Sequence, residues 1–486
     1  MVSGQENIMK FQQNFKVLSE EEMLLIHMRV LETLEEMGIM VEEKQSLELL
    51  EKHGARVDYD LKRAYLPATL VKWALDVKKD SFTLYSAKGD RAVFMGGDIV
   101  HYAPLGYSVT YLDKEGNVHD GTYDALNLEA KYVNVMEEYD LMHPSIQPCD
   151  KPAALQDMYM LKAMLLGTDK PIHCVANSEA GATGMLRMHA EVVGGKEELK
   201  KHPRHMFNLC TFSPLGIRRD VCEVIRAATE YDAPCMFSTG TMAGATAPVT
   251  LAGSMVESLS EVLGHIVLQQ CYKPGQPSAM LHASRIFDMK YAACTVATPE
   301  YAIMKVAACQ MANYYKIPIG TIGLCADSND YDYQLGWEKF MTSFIPAQAG
   351  MNMNFGGGMY SQLNQFSFPV LAMDTEMIRV EKRLARGMEV NEDTIMFDVL
   401  KEESVRGNFL YHKTTLEGWK NEFMTPVLSD RAPYTQFMKR NGKKTFVDRA
   451  IKELEKAEKK FCDTVATPME DKLQAIIDEY AYLVEE

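Results

Sequence analysis

Hydrophobic and polar positions change rhythm twice along this chain. In SEEEMLLIHMRVLETLEEMG, residues Leu24, Ile26, Met28, Val30 and Leu31 recur among polar positions on a roughly helical period. Ser19 stands where an N-cap belongs, acids fill the first turn, and Gly38 is placed to stop the run. A second helix is expected from Glu43 to Lys52, ending at Gly54. From Phe82 to Val118 the pattern shortens to the strand-like runs FTLYSA, AVFMGG, IVHYA and SVTYLD, with turns at Lys88-Gly89-Asp90 and Lys114-Glu115-Gly116-Asn117. Residues 1–125 therefore read as an N-terminal α+β cap with a small antiparallel meander.

From about residue 139 the alternation becomes regular. Apolar runs occur at Asp140–Pro144, Pro171–Ala176, His205–Phe212, Pro234–Gly240, Ser278–Ala283, Pro318–Gly323, Met351–Phe355 and Phe368–Asp374. Helical segments such as Ala153–Leu166, Ile217–Tyr231, Leu251–Cys271 and Pro299–Tyr315 separate them. Continuous apolar strands alternating with helices imply parallel pairing through right-handed crossovers. Eight units in roughly 250 residues fit an α/β fold of the (β/α)8 TIM barrel type, with a doubly wound sheet as the competing arrangement. The barrel core is expected over 126–378. A charged, helical C-terminal extension over 379–486 is expected to pack on it or on a partner subunit.

Composition narrows the function. Lys+Arg 51 against Asp+Glu 67 gives a formal charge of −16, which argues against nucleic acid as a partner, since phosphate binding needs clustered bases. No basic segment followed by an apolar run opens the chain, and no uninterrupted apolar stretch of about 18 residues occurs, so a cytoplasmic protein without a membrane span is expected. The ten cysteines are scattered, without CxxC spacing, as expected of reduced thiols; the 33 methionines suit a reducing, oxygen-poor cell.

In a barrel the chemistry lies where the strands end. Small residues and acids dominate those ends, with few bases. Acids and aromatics together suit a cationic guest: a quaternary ammonium has no N–H to donate, so ring faces and diffuse negative potential must hold it. Tyr102, Tyr107, Tyr331, Tyr333, Trp337 and Phe355 are the candidate rings. His173-Cys174 are neighbours on a strand and point to opposite faces, which argues against a shared metal site. Gly356-Gly357-Gly358 matches neither a dinucleotide nor a Walker loop.

Four motifs give these pieces a family resemblance: MAGATAPVTLAG from Met242 to Gly253, ATPEYAIMKVAACQMANYY within Ser284–Pro318, ADSNDYDYQLGWEKF, and GNFLYHKTTLEGW with Asp430-Arg431 beyond. The chain resembles the trimethylamine methyltransferase (MttB) superfamily over residues 15–485. That resemblance implies a barrel that moves a methyl group from an amine to the Co(I) of a corrinoid (cobalamin) carried by a separate protein, with no intrinsic metal. Trimethylamine members carry pyrrolysine after the sixth strand, where this chain has Asp327-Ser328-Asn329-Asp330. The resemblance is therefore to the non-pyrrolysine branch, associated with quaternary amines such as glycine betaine, proline betaine, carnitine and γ-butyrobetaine.

Roles follow as expectations. Tyr102 and Phe355, with Tyr333 and Trp337, form the cage; Asp327 and Asp330 supply negative potential or order the catalytic loop. Arg285, His282 or His412 takes the substrate carboxylate, and Gly244, Gly356 and Gly357 let the corrinoid approach. A cognate corrinoid protein, a small quaternary amine and a symmetric homo-oligomer are the expected partners. The competing functions are a quaternary-amine binding or sensing barrel without catalysis, and a zinc-dependent corrinoid methyltransferase.

Overall fold

The computed structural model of the chain describes residues 15–441, 444–462 and 467–484. Its centre is a parallel barrel. In chain order the units are β1 (His101–Pro104) and α1 (Tyr123–Val135), β2 (residues 140–142) and α2 (Gln156–Gly167), β3 (Ile172–Cys174) and α3 (Glu179–Val193), β4 (His205–Cys210) and α4 (Arg219–Glu230). They continue with β5 (Cys235–Ser238) and α5 (Leu251–Tyr272), β6 (Ser278–His282) and α6 (Pro299–Tyr315), β7 (Ile319–Ile322) and α7 (Tyr333–Ala347), β8 (Met353–Gly357) and α8 (Phe368–Arg386).

Seven of these strands form one sheet, in which β8 pairs with β1 in parallel and Asn354 stands opposite Tyr102. The short β2 closes the ring. Asp140 N–H donates to Tyr102 O at 2.8 Å, Met142 N–H to Pro171 O at 2.9 Å, and His173 N–H to Met142 O at 2.9 Å. Local chemistry starts the helices: Thr250 caps α5, Thr298 caps α6 with a proline in the first turn, and Asp332 caps α7 by accepting from Leu335 N–H. α5 is apolar and long enough to cross a membrane by composition, but 72% of its apolar window is buried inside the protein.

Two expectations need correction. Phe368–Asp374 is not the eighth strand but the opening of α8: Ser367 accepts from Val370 N–H and a proline occupies the first turn. The run FPVLAM is apolar because those helix turns are buried, and a short buried run carries no period that separates helix from strand. The missing strand is His101–Pro104, expected in the antiparallel cap, which is buried at all four positions and pairs with β8. The barrel thus begins before the boundary expected at 126, and α8 runs through the one expected at 379.

The N-terminal segment serves the barrel from outside and below. Helix Glu20–Glu32 carries a capping box between Ser19 and Glu22 and buries Ile26 and Val30, while Leu24 and Met28 of its expected apolar face are exposed. The antiparallel hairpin Phe82–Tyr85/Ala92–Met95 places Phe82, Leu84, Val93 and Met95 in one cluster with Met206, Met236, Ala279 and Met353 from the strand interiors. The hairpin packs against the N-terminal strand ends, and the C-terminal strand ends, where a barrel's sites lie, are opposite it. At the other end of the chain, helix Phe446–Glu458 packs on α8 and α1, with Tyr132 Oη donating to Glu458 Oε1 at 2.5 Å.

Candidate active site at the barrel mouth

Side-chain parity along the strands sorts the barrel into lumen and shell. Ala103, Leu141, Met206, Met236, Leu281, Ile322, Met353 and Phe355 share the inner cluster. Their neighbours Tyr102, Met142, Phe207, Phe237, Met280 and Ile319 belong to the cluster shared with the surrounding helices.

At the mouth the lumen becomes aromatic. His143 just beyond β2, His173 on β3 and Phe355 on β8 gather in tilted and edge-on contact. Ring centroids are 4.8 Å apart for His143–His173, 4.9 Å for His173–Phe355 and 6.0 Å for His143–Phe355. Tyr107 meets His143 edge-on at 5.1 Å. Neither ring nitrogen of either histidine has a hydrogen-bond partner of ordinary geometry among the described residues, and Asn208 Oδ1 in the same lumen has none. Burial pushes His143 down to about 3, against a weaker opposing pull from the His173 backbone. Burial, then the neighbouring His143, holds His173 well below its usual range. Both imidazoles are neutral at physiological pH, so the rings present π faces without positive charge.

Buried carboxylates hold the loops around this cluster. Glu129 of α1 accepts from Ser145 N–H with both oxygens at 3.1 Å and from Ile146 N–H at 3.3 Å, which fixes the loop carrying His143. Asp157 of α2 accepts from Asn177 N–H at 3.0 Å beyond β3. Glu261 of α5 accepts from Thr211 Oγ1 at 2.6 Å and Leu215 N–H at 3.0 Å beyond β4. Glu338 of α7 accepts from Asp327 N–H at 2.8 Å and Ser328 N–H at 3.0 Å beyond β7. Asp374 of α8 accepts from Gly358 N–H at 2.8 Å and pairs with Lys339 at 2.9 Å. Part of the acidic composition thus supplies interior anchors for backbone N–H groups.

The expected site residues separate on this geometry. Phe355 lines the lumen. Tyr102 does not: it sits one position out of phase, and its hydroxyl donates to Glu381 Oε2 at 3.0 Å in the helix layer. Tyr333 and Trp337 leave the cage because Asp332 launches α7 immediately after it; they are 87% and 41% exposed on that helix. Tyr331 is also outside it, hydrogen-bonded to Ser367 Oγ at 2.7 Å. Asp327 accepts from Val296 N–H at 2.8 Å and Ala297 N–H at 3.2 Å, ordering the hairpin beyond β6. Asp330 is exposed and accepts from Tyr331 N–H at 2.7 Å.

His282 is buried among side chains with Lys305 as its charged neighbour, and burial first, then that lysine, pushes it down to about 3. His412 caps helix Lys413–Glu422 in the C-terminal extension, with a ring nitrogen and carboxylate oxygens of Glu402 and Glu403 all within 4.8 Å of one another. Arg285 is half-buried on the rim.

The glycines are packing positions. Gly356 has φ +113° and a Cβ there would meet Leu324 O at 2.8 Å; one on Gly357 would meet the Tyr139 ring at 2.5 Å. Gly244, with φ +90°, is covered by Met289 Cε at 2.9 Å.

Sequence reasoning missed His143 and Glu129 and weighed His173 only as a metal ligand. The signal was present. Leu141-Met142-His143 and Ile172-His173 place a histidine at the end of each of two neighbouring strands.

A family model described as trimethylamine methyltransferase (MTTB) matches residues 2–482. The chain is 29% identical over 437 residues to "Trimethylamine methyltransferase MttB" of Desulfitobacterium hafniense (strain DSM 10664 / DCB-2), covering 90% of this chain and 88% of that one. It is 28% identical over 428 residues to "Glycine betaine methyltransferase" of Desulfitobacterium hafniense (strain Y51), covering 87% and 89%. Among solved structures, the monomethylamine methyltransferase MtmB of Methanosarcina barkeri aligns with a TM-score of 0.50 at 14% identity over 92% of this chain and 95% of that one, a likeness of fold.

Proposed function

Since the chain belongs to the trimethylamine methyltransferase (MTTB) family, we propose that it takes a methyl group from a quaternary amine and passes it to the Co(I) of a corrinoid held by a separate protein. The observation that carries this reading is the uncharged ring cluster of His143, His173, Phe355 and Tyr107 at the mouth of the barrel. A quaternary ammonium offers no proton to a hydrogen-bond acceptor and is attracted to ring faces. Imidazolium would repel it, and burial keeps both histidines neutral.

The chemistry asks little of acids and bases. The C–N bond breaks with its electron pair on nitrogen, so the leaving group is a neutral tertiary amine and no proton moves. Reduced cobalt supplies the attacking electron pair and is a strong nucleophile. The chain's own task is to orient the methyl along the barrel axis, strip water from the cation and keep the mouth open to the acceptor. The hairpin packed at the N-terminal strand ends supports access from the opposite, C-terminal end. The carboxylate-anchored loops keep the rings in place while donor and acceptor exchange.

The ten cysteines are free, in keeping with a reducing, cytoplasmic setting for Co(I) chemistry. Exposed apolar side chains between Met388 and Tyr434, among them Val405 (89%) and Tyr411 (76%), suit burial against a second copy of the chain.

The test is anaerobic incubation with cob(I)alamin and a panel of glycine betaine, proline betaine, carnitine and γ-butyrobetaine. Loss of the Co(I) absorption band with at least one of them, together with the matching demethylated amine, is expected. Binding without turnover would instead make the chain a sensor, and activity that tracks stoichiometric zinc would make it a metal-dependent enzyme.

A further inference from the structure

The lip of the barrel carries Arg285, a cation whose hydrogen-bonding capacity is largely unused among the described residues. Beyond β6 the chain forms a small three-stranded lip from Met242–Ala243, Arg285–Asp288 and Ala293–Thr295, in which Met242 pairs with Arg285. Arg285 N–H donates to Thr241 O at 2.8 Å. A hydroxyl ladder stiffens its base: Thr241 Oγ1 donates to Ser284 Oγ at 2.6 Å, and Ser284 Oγ to Thr239 Oγ1 at 2.9 Å. The backbone that carries Arg285 is therefore fixed from two sides.

Its guanidinium has one hydrogen bond among the described residues, to Cys294 Sγ at 3.8 Å. The nearby carboxylate, Asp327, attracts Arg285 electrostatically but directs its two oxygens at Val296 and Ala297 N–H rather than at the guanidinium. The contrast is Arg218, which also lies within electrostatic reach of Cys210 but is paired with Asp220 at 2.6 Å. Five N–H donors in a rigid fork, of which the described residues engage one, on Cys294 Sγ, offer an anion a site. Ala283, two residues before Arg285, shares the inner cluster with Phe355 of the ring cluster.

We propose that Arg285 is the anion subsite of the mouth and takes the carboxylate of a zwitterionic quaternary amine whose ammonium sits against His143, His173 and Phe355. The inference rests on the proposed function. It selects one of the three side chains expected to hold a carboxylate: His282 is buried among side chains, and His412 caps a helix of the C-terminal extension. It also sets specificity. Cations without a carboxylate, such as choline or tetramethylammonium, fill the rings but leave the fork unsatisfied, and so bind more weakly than a betaine.

The experiment is calorimetric binding of glycine betaine, carnitine and choline to the full-length wild-type chain and to Arg285→Gln and Arg285→Lys, with no acceptor present. The wild type is expected to bind at least one of the two betaines about tenfold or more tightly than choline. Arg285→Gln should erase that preference by weakening the betaine while choline changes less than about twofold, and Arg285→Lys should restore part of it. Equal loss for betaine and choline in Arg285→Gln, or no loss for either, overturns the subsite. A wild-type chain that binds none of the three overturns the ring cluster as well.

Discussion

His143 and His173, at the ends of neighbouring strands, pack in a tilted pair with ring centroids 4.8 Å apart, and among the described residues no ring nitrogen of either has a hydrogen-bond partner of ordinary geometry. On the proposed function, two imidazoles held this way serve as π faces rather than as bases or ligands. Substituting either by Phe should keep binding of a quaternary amine within about threefold, whereas His143→Lys should abolish it, since a fixed cation in the cage repels the guest. Phe355→Ala should raise the apparent KM by about tenfold, from about 1–2 kcal/mol of lost cation–π contact. Steady-state kinetics on the four variants checks the set.

Tyr102→Phe should leave kinetics unchanged and lower stability by about 1 kcal/mol. The hydroxyl donates to Glu381 Oε2 at 3.0 Å in the helix layer. Thermal melts and KM for the same variant separate this from a role in the cage.

Glu129→Ala should destabilise the chain by about 2–4 kcal/mol by stranding Ser145 and Ile146 N–H in the interior. It should also loosen the His143 loop, so KM rises with the loss of stability. Hydrogen exchange of the Ser145 amide is the direct measurement.

A pH dependence follows from His282, which burial pushes down to about 3. Its folded value lies below the unfolded one of about 6.5, so as pH falls through 6.5 the unfolded chain takes up a proton that the folded chain refuses. Stability from this residue is complete above about 6.5 and is lost toward pH 3, at up to about 1.4 kcal/mol per pH unit. His282→Leu should therefore gain on the wild type as pH falls from 6.5 to 4, in denaturant melts taken pairwise. A constant difference across that range contradicts it.

The exposed apolar segment predicts association. Light scattering should give a particle at least twice the chain mass of 54.8 kDa, and Val405→Asp with Tyr411→Asp should shift it toward the monomer.

Much of the architecture was legible because parallel strands are buried on both faces and stand out as apolar runs between helices. The two misread segments show the limit of that signal. His101–Pro104 lies among short hairpin strands, and only its long-range pairing with Met353–Gly357 makes it part of the barrel. Phe368–Asp374 is apolar because it is a buried helix start. At the strand ends, the position of Phe355 in the lumen was legible from its place at the end of an apolar run. Tyr102 failed by one residue of phase, which flips a side chain from lumen to shell. Tyr333 and Trp337 failed because the Asp332 cap begins a helix there. Convergence of His143 and His173 depends on the register of β2 beside β3, which composition does not encode.

The central claim is that an uncharged ring cluster positions a quaternary methyl for reduced cobalt. Anaerobic single-turnover reaction of a betaine with cob(I)alamin, run with wild type and with His143→Lys, tests it most directly. The account predicts loss of the Co(I) band matched one-to-one by demethylated amine for the wild type, and neither for the variant. Undiminished transfer by His143→Lys, or none from any betaine by the wild type, would contradict it.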